Sequence, residues 1–193
     1  MSNKIFHSRI NIIEPILESD FEAAKKLVED NLYKDINLQK QLRESSAGEV
    51  LVAKIDERVV GMLAMRRPGK VFKEIGDRYF EPENLKIGKD KIGYIALVSV
   101  DAEYQGHGIG KKLVARAIVS QKNWNASEII AHASESSPGN ASERLFSSFA
   151  FIPTKLHKQP WHDYSLKEGP EVFLCNFCGC PCKCDELEMV KYL

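Results

Sequence analysis

The chain has 193 residues, a length that suits one domain with a buried core. Its 27 basic and 27 acidic residues balance, so no overall charge would draw it to nucleic acid or to an anionic membrane surface. Hydrophobic residues make up 44% of the chain, which argues against a disordered protein.

The placement of apolar residues and cysteines predicts a cytoplasmic protein. Residues 1–8 lack the apolar core of a signal peptide, and no apolar run approaches the roughly 20 residues of a membrane-spanning helix. All five cysteines fall between residues 175 and 184, whereas a secreted disulfide scaffold would distribute them along the chain. We therefore expect no membrane partner.

The N-terminal part predicts a strand followed by two helices. Residues 9–17 predict a first strand, and Pro15 places it at a sheet edge or marks its end. Ser19 and Glu22 have the spacing of a capping box, which predicts that the first helix begins there. A second, short helix is predicted over residues 36–44.

A hairpin comes next. Residues 50–55 and 59–65 are apolar or alternate in polarity on either side of Asp56-Glu57-Arg58. An antiparallel pair at this point argues against a Rossmann fold, in which strands and helices alternate. The polar segment 68–91 that follows is either a functional connection or a surface excursion, and the sequence leaves both open.

The most informative stretch is a strand, a glycine-rich turn and a helix. Residues 95–100 predict a buried strand, and residues 105–110 read Gln-Gly-His-Gly-Ile-Gly. Glycines at alternate positions let the backbone approach a ligand closely. The start of a helix adds unpaired N–H groups and the positive end of its dipole. The stretch therefore predicts a cradle for a phosphate or pyrophosphate. The helix carries one apolar face, formed by Ile109, Leu113, Val114, Ala117 and Ile118.

Two familiar nucleotide motifs do not fit this turn. A dinucleotide fingerprint would need a third glycine at position 111, where the chain has lysine. A P-loop would need glycine in place of Gln105 and serine or threonine in place of Lys112. The anion site is therefore of another kind.

The turn resembles the [Gln/Arg]-x-x-Gly-x-[Gly/Ala] motif of the GNAT superfamily of N-acetyltransferases, matched by Gln105, Gly108 and Gly110. This resemblance implies an α+β fold in which a central mixed, mostly antiparallel sheet is flanked by helices on both faces. It also implies that the turn binds the pyrophosphate of acetyl-CoA. The cofactor-binding residues it implies are Val98, Ser99, Val100, Gln105, Gly106, His107, Gly108, Ile109, Gly110, Lys111 and Asn140.

The elements after this helix fit the same family. A strand is predicted over 128–133, a helix bears Leu145, Phe146 and Phe149, a strand begins at 151, and a last strand is predicted over 171–177. A second family motif is matched in part. Leu145, Phe146, Ala150 and Phe151 take four of its places, Ser142 takes an alanine place, and Asn140 comes one residue late.

The resemblance implies direct acetyl transfer to an amine, with both substrates bound at once. The acceptor would be a small molecule or a peptide, and Asp77, Glu81 and Glu83 are candidates for attracting it. The alternative is a non-catalytic sensor or regulator that binds an acyl-CoA and responds to a metal or to redox state through a cysteine-rich tail. Nothing in the sequence indicates an oligomeric state.

The acid and base residues depart from the family pattern. The usual tyrosine falls on Phe146, which has no proton to give, and a strand glutamate that some members use as base falls on Tyr94. His132 has the pKa range of a base near neutral pH, although a lone histidine in an apolar strand is more often a packed residue. We take Tyr94 and His132 as candidate catalytic residues, with Tyr164 and Ser142 as other proton donors.

A cysteine-rich C-terminal extension, residues 175–193, follows a predicted acetyltransferase domain of residues 1–174. Cys175 and Cys178 have the C-x-x-C-G spacing of a zinc knuckle. Soft thiolates suit Zn²⁺ or Cu(I), while reversible disulfides and a thiol-rich tail without a role remain open. The candidate metal ligands are Cys175, Cys178, Cys180, Cys182 and Cys184. Residues 185–193 predict a short closing helix.

Overall fold

The computed structural model describes residues 10–43, 48–70 and 88–193, and the side chains from residue 13 onward within these ranges. Most of the polar segment predicted over 68–91, including Asp77, Glu81 and Glu83, lies outside the described residues.

The described chain contains nine strands and five α-helices. Its first part comprises β1 (Ile10–Pro15), α1 (Phe21–Asn31), β2 (Tyr33–Asp35), α2 (Leu38–Arg43), β3 (Gly48–Ile55) and β4 (Arg58–Arg66). Its second part comprises β5 (Ile92–Val100), α3 (Ile109–Asn123), β6 (Glu128–Ser134), α4 (Ala141–Ser147), β7 (Ile152–His157), α5 (His162–Glu168), β8 (Phe173–Cys175) and β9 (Glu186–Tyr192).

A seven-stranded sheet with the order β1-β3-β4-β5-β6-β9-β7 forms the centre of the fold. Only β5 and β6 run parallel among the neighbours in this sheet, and every other pair is antiparallel. Strands β2 and β8 form a separate two-stranded sheet. The mixed, mostly antiparallel sheet predicted from the sequence is confirmed.

Helices cover both faces of the large sheet, as predicted. On one face, α3 and α4 bury Ile109, Leu113 and Phe146 against the strands. On the other face, α1 and α2 bury Phe21 and Leu38. The sheet is therefore the middle layer between two apolar cores.

The predicted hairpin has a tight turn. Asp56 and Glu57 connect β3 to β4, and their φ angles are 48° and 66°. Two successive positive φ angles give a primed turn, whose twist matches that of the flanking strands. The predicted pairing of these two segments is confirmed.

The predicted helix start at Ser19 is wrong. Residues Glu18–Asp20 form a short 3₁₀ turn, and α1 begins at Phe21. The carboxylate of Asp20 accepts a hydrogen bond of 3.0 Å from the backbone N–H of Leu17. Asp20 is buried and also binds Lys54, so a tertiary contact decides how this segment enters the helix.

The predicted closing helix over residues 185–193 is also wrong. Glu186–Tyr192 is strand β9, which lies between β6 and β7 and pairs with both. The last strand predicted, over 171–177, is β8, which pairs with β2 outside the large sheet. Residues on both sides of position 175 therefore contribute strands to the same fold.

A buried ion-pair cluster ties β1, β3 and the start of α1 together. The Lys54 ammonium lies 2.9 Å from Asp20 and 3.0 Å from Glu14, and its side chain is only 9% exposed. Removing one partner of a buried pair leaves an uncompensated charge, which is strongly destabilising.

We expect Lys54→Met to lower the free energy of unfolding by about 3 kcal/mol, since Asp20 would stay charged and buried. Lys26→Met is the matched control, because Lys26 and Asp30 form an exposed pair with 73% and 54% side-chain exposure. The control should change by less than about 1 kcal/mol. Urea unfolding at neutral pH measures both, and equal losses in the two variants would contradict a structural role for the cluster.

Candidate active site

The sheet opens between β5 and β6. These strands pair only over residues 92–95 and 128–131, although β5 continues to Val100 and β6 continues to Ser134. An irregularity in the pairing with β4 leaves Ala96 as an extra residue where the strands part. Because alternate residues of β5 direct their backbone groups away from β4, residues 96–100 present N–H and C=O groups to the gap.

The glycine turn lies at the end of β5 and at the start of α3. Gly106 and Gly108 have φ angles of 78° and 79°, in the left-handed region that favours glycine. Gly108 is the residue that precedes the helix, and a Cβ at either glycine would meet nothing within 4 Å. The turn that leads into α3 therefore has open space beside its two left-handed glycines, and the first N–H groups of a helix lack partners within it, as an anion site requires.

Side chains hold the cradle in place. The Gln105 amide donates a hydrogen bond of 3.0 Å to the carbonyl oxygen of Val100. Asp101 accepts hydrogen bonds from the Arg58 guanidinium at 2.7 Å and from the backbone N–H of Glu103 at 3.0 Å. The turn is thus fixed both to β5 and to the hairpin.

Some predicted cofactor-binding residues point into the core. Ile109 is 1% exposed and Ser99 is 3% exposed. The Ser99 hydroxyl donates a hydrogen bond of 2.8 Å to the carbonyl oxygen of Leu27 in α1. Val98 and Val100 pack against the core on the α3 side. Val98 and Val100 can offer a ligand in the gap their backbone groups, whereas the backbone groups of Ser99 face β4 and Ile109 lies on the first turn of α3.

The remaining predicted cofactor residues surround the turn. Lys111 is exposed on the first turn of α3, and the His107 Nδ1 atom lies 2.8 Å from the carbonyl oxygen of Gln105. Gly110 lies beside Leu145 of α4, and a Cβ there would make an ordinary contact of 3.4 Å. Asn140 precedes α4 with a left-handed backbone.

The structure brings together the two predicted catalytic residues. The Tyr94 hydroxyl lies 3.1 Å from Nδ1 of His132 on the neighbouring strand. Ile95 and Ala131 pack in the core on the α3 side, so the alternation of side chains places Tyr94 and His132 on the opposite face. Both side chains are buried, Tyr94 at 4% and His132 at 2% exposure.

Sequence reasoning missed two further members of this cluster, Glu188 and His157. One carboxylate oxygen of Glu188 lies 3.1 Å from Nε2 of His157 and 3.7 Å from Nε2 of His132. The Thr154 hydroxyl donates to the other oxygen at 2.8 Å. The signal for Glu188 was the alternation of polar and apolar residues over 186–190, which is typical of a strand.

Burial and neighbouring charges set the protonation of this cluster. Burial, and next the charge of Glu186, raise the pKa of Tyr94 well above its usual value, so the phenol stays protonated at neutral pH. Burial raises the pKa of Glu188, but hydrogen bonds from His132 and Thr154 outweigh it and leave the pKa below its usual value. The Tyr94 hydroxyl and Nδ1 of His132 share one hydrogen bond, and Nε2 of His132 is 3.7 Å from the Glu188 carboxylate.

Four of the five cysteines cluster, and the fifth lies apart from them. The sulfur atoms of Cys175, Cys178, Cys182 and Cys184 all lie within 4.8 Å of one another. Cys180 points elsewhere, with its sulfur 3.2 Å from the carbonyl oxygen of Ser165 in α5.

The open sheet beside a glycine turn belongs to a known protein family. A sequence profile of the acetyltransferase (GNAT) family matches residues 11–151. The chain belongs to the GNAT family. The match spans the strands that part and the glycine turn, and the family predicted from Gln105, Gly108 and Gly110 is confirmed.

Solved GNAT structures share the fold of this chain. The ribosomal-protein-alanine N-acetyltransferase of Brucella melitensis is 21% identical with a TM-score of 0.65, and the alignment covers 95% of this chain and 100% of that one. Arabidopsis thaliana NAA60, in complex with a bisubstrate analogue, is 15% identical with a TM-score of 0.67, covering 94% and 97%. A GNAT family acetyltransferase of Elizabethkingia anophelis with acetyl-CoA bound is 17% identical with a TM-score of 0.60, covering 94% and 97%. No curated protein sequence matches the chain significantly.

In this GNAT chain, Phe146 stands at the position of the family's usual tyrosine, and its side chain is part of the core. Phe146 is 4% exposed, and its ring centroid lies 5.2 Å from that of Phe151. It has no ionisable group and faces other apolar side chains.

Among the helices that the structure describes, none is long and apolar enough to cross a membrane.

The lowered pKa of Glu188 has a consequence for stability. The folded protein holds this proton less tightly than the unfolded chain, whose glutamate pKa is about 4.3. The carboxylate therefore stabilises the fold above that pH, and the contribution is lost as the pH falls through the folded pKa. We expect Glu188→Gln to lose less unfolding free energy than the wild type between about pH 5 and about pH 2, where the unfolded and then the folded glutamate take up the proton. Glu103→Gln, whose side chain is 77% exposed, should keep the wild-type slope. Urea unfolding across this range measures the slopes, and parallel curves for Glu188→Gln and wild type would refute the assignment.

Proposed function

We propose that this protein is an acetyl-CoA-dependent N-acetyltransferase that moves the acetyl group directly to an amine while both substrates are bound. The observation that carries this proposal is the continuity of the glycine cradle at α3 with the gap between β5 and β6. A coenzyme whose pyrophosphate sits on the cradle can extend its pantetheine arm along β5. The structure with acetyl-CoA bound from Elizabethkingia anophelis has the same fold, which supports this ligand.

Each part of the coenzyme has a matching group in the chain. N–H groups of Gly106, Gly108 and Gly110 lie where they can bind the pyrophosphate, and exposed Lys111 adds a positive charge beside it. Backbone groups of Val98 and Val100 in the open strand suit the amides of the pantetheine arm. Asn140, which precedes α4, is a further candidate contact.

Acetyl transfer needs few side chains in this arrangement. The amine nitrogen attacks the thioester carbon, the new C–N bond forms as the C–S bond breaks, and coenzyme A leaves as a thiolate that takes up a proton. An N–H of residues 98–100 that faces the carbonyl oxygen stabilises its developing charge, an effect worth about 2.7–4 kcal/mol in other enzymes. Holding both reactants in place supplies about 7–11 kcal/mol in good cases. Phe146 therefore does not prevent catalysis.

The amine must lose a proton, and we assign its uptake to the cluster of Tyr94 and His132. The Glu188 carboxylate lies 3.7 Å beyond Nε2 of His132, so its charge favours a proton that passes from Tyr94 to the imidazole. Glu188 keeps His132 in one orientation and stabilises its protonated form. The acceptor is a small-molecule or peptide amine, since the solved relative from Brucella melitensis is named for a protein alanine.

The cradle is tested by replacing Gly108. We expect Gly108→Asp to lower acetyl-CoA affinity at least about tenfold, because a carboxylate would repel the pyrophosphate in the space that is now open. Gly169→Asp is the matched control, because Gly169 also has a φ of 79° and open space around it, but it ends α5. Isothermal titration calorimetry measures both, and equal affinity in Gly108→Asp and wild type would remove the basis of the proposal.

The catalytic cluster is tested by turnover. We expect Tyr94→Phe and His132→Ala to lower kcat on the order of 10²-fold, the usual scale for a positioned acid or base, with little change in acetyl-CoA affinity. Tyr192→Phe on β9 is the control, because this tyrosine is exposed and lies outside the cluster. Release of coenzyme A thiol from acetyl-CoA with a panel of amines reports kcat across pH. Unchanged kcat in both variants would exclude a proton-transfer role, while tight binding of acetyl-CoA without turnover in the wild type would favour the sensor function instead.

A further inference from the structure

Four thiols converge where the chain passes from β8 to β9. The Cys178 sulfur lies 3.2 Å from that of Cys184 and 3.6 Å from that of Cys182, and Cys175 and Cys184 are 3.6 Å apart. They come from two short segments of the chain, 175–178 and 182–184, that face each other. All five cysteines are free of disulfides.

The spacing of these sulfur atoms fits one tetrahedral ion. Four sulfurs that each lie about 2.3 Å from Zn²⁺ are about 3.8 Å from one another in a regular tetrahedron. Three of the six sulfur–sulfur separations are 3.2 to 3.6 Å, and all six are within 4.8 Å. These distances are far above the roughly 2.05 Å of a disulfide bond. A disulfide also joins only two sulfur atoms, whereas four sulfur atoms lie together here.

The backbone around the cluster favours thiolates. The N–H of Lys183 donates to the Cys178 sulfur at 3.1 Å, and the N–H groups of Phe177 and Cys178 donate to the Cys175 sulfur. The N–H of Gly179, whose φ is 81°, closes the turn by donating to the Cys175 carbonyl oxygen at 2.9 Å. A tight turn with N–H groups directed at sulfur is the form of a zinc knuckle, in which these donors stabilise the negative charge on the ligands.

We propose that Cys175, Cys178, Cys182 and Cys184 bind one structural Zn²⁺ ion, and that Cys180 is not a ligand. The spacing is C-x₂-C-x₃-C-x-C. Four protein ligands close the coordination sphere, so the ion has no open position for a substrate or a reactive water. Its role is therefore to hold the fold rather than to take part in acetyl transfer.

The surroundings of the site show what the ion would hold. Asn176 donates from its side chain to the Glu29 carbonyl oxygen at 2.7 Å and from its backbone to the Leu32 carbonyl oxygen at 3.0 Å, both near the end of α1. The N–H of Cys182 donates to the Ser165 hydroxyl of α5 at 2.7 Å. The site thus joins α1, α5, β8 and the start of β9.

The apolar core at this place is small without a metal. Its buried members are Phe173 and three of the cysteines, with aromatic side chains of Tyr33, Trp161, Tyr164 and Phe177 packed around them. A cluster of this size supplies little burial of apolar surface, and small units of this kind commonly depend on a metal or on disulfides. Binding of Zn²⁺ would then contribute directly to folding stability.

The first experiment is a metal analysis of the full chain purified without chelators. We expect about one zinc ion per chain for the wild type and for Cys180→Ser, and much less than one for Cys178→Ser and Cys184→Ser. Cys180→Ser is the matched control, because Cys180 lies in the same segment but its sulfur is directed at Ser165. Loss of zinc in Cys180→Ser, or full zinc in Cys178→Ser, would overturn the ligand assignment. Iron or copper in place of zinc would overturn the choice of ion.

A second experiment does not depend on whether the variants fold. The wild-type chain, stripped with a chelator under reducing conditions, is titrated with Co²⁺ and then with Zn²⁺. Tetrahedral thiolate ligation predicts intense d–d bands and sulfur-to-cobalt charge transfer that saturate at about one equivalent and disappear as Zn²⁺ displaces Co²⁺. The thermal midpoint should fall on stripping and recover on adding Zn²⁺. A stripped chain with an unchanged midpoint and no cobalt spectrum would refute the site. Neither the cobalt spectrum nor the thermal midpoint depends on acetyl transfer, so the test of the zinc site is independent of the proposed function.

Discussion

The separation of β5 from β6 is the feature on which the rest of the site depends. The two strands pair over only four residues, because β6 continues along β9 while β5 continues toward the glycine turn. A fully paired sheet would leave no backbone groups for a ligand at its centre. The open edge and the start of α3 together form one continuous polar path, bounded by apolar cores on both faces.

Strand β9 links the chemistry proposed for the site to the cysteine cluster. It carries Glu188, whose carboxylate lies 3.7 Å from His132, and it begins two residues after Cys184. The indole of Trp161 donates to Glu186 at 3.0 Å and stacks on Phe173. The thiols and the Glu188 carboxylate therefore lie at neighbouring points of one strand, and Trp161 and Phe173 pack beside them.

The sequence predicted those parts that are encoded within a few neighbouring residues. The hairpin at Asp56-Glu57, the glycine turn and the apolar face of α3 each follow from a local pattern, and the structure contains all three. Sequence analysis missed strand β9 because its pairing partners are distant in the chain. The strand has only seven residues, so its polar–apolar alternation is a weak signal. The start of α1 was misplaced because Lys54, on another strand, holds Asp20. The spacing of the cysteines did not show that Cys180 lies outside the cluster. Its sulfur contacts the carbonyl oxygen of Ser165, a residue that is distant in the sequence.

The order of strands in the large sheet differs from their order in the chain. Strand β9 is made after β6 and β7 but lies between them. Until it arrives, the facing edges of those two strands lack partners, and unpaired edges invite pairing with other chains. Pairing of β9 with both neighbours therefore removes two open edges at once, which makes the C-terminal strand the element that protects the middle of the sheet from aggregation.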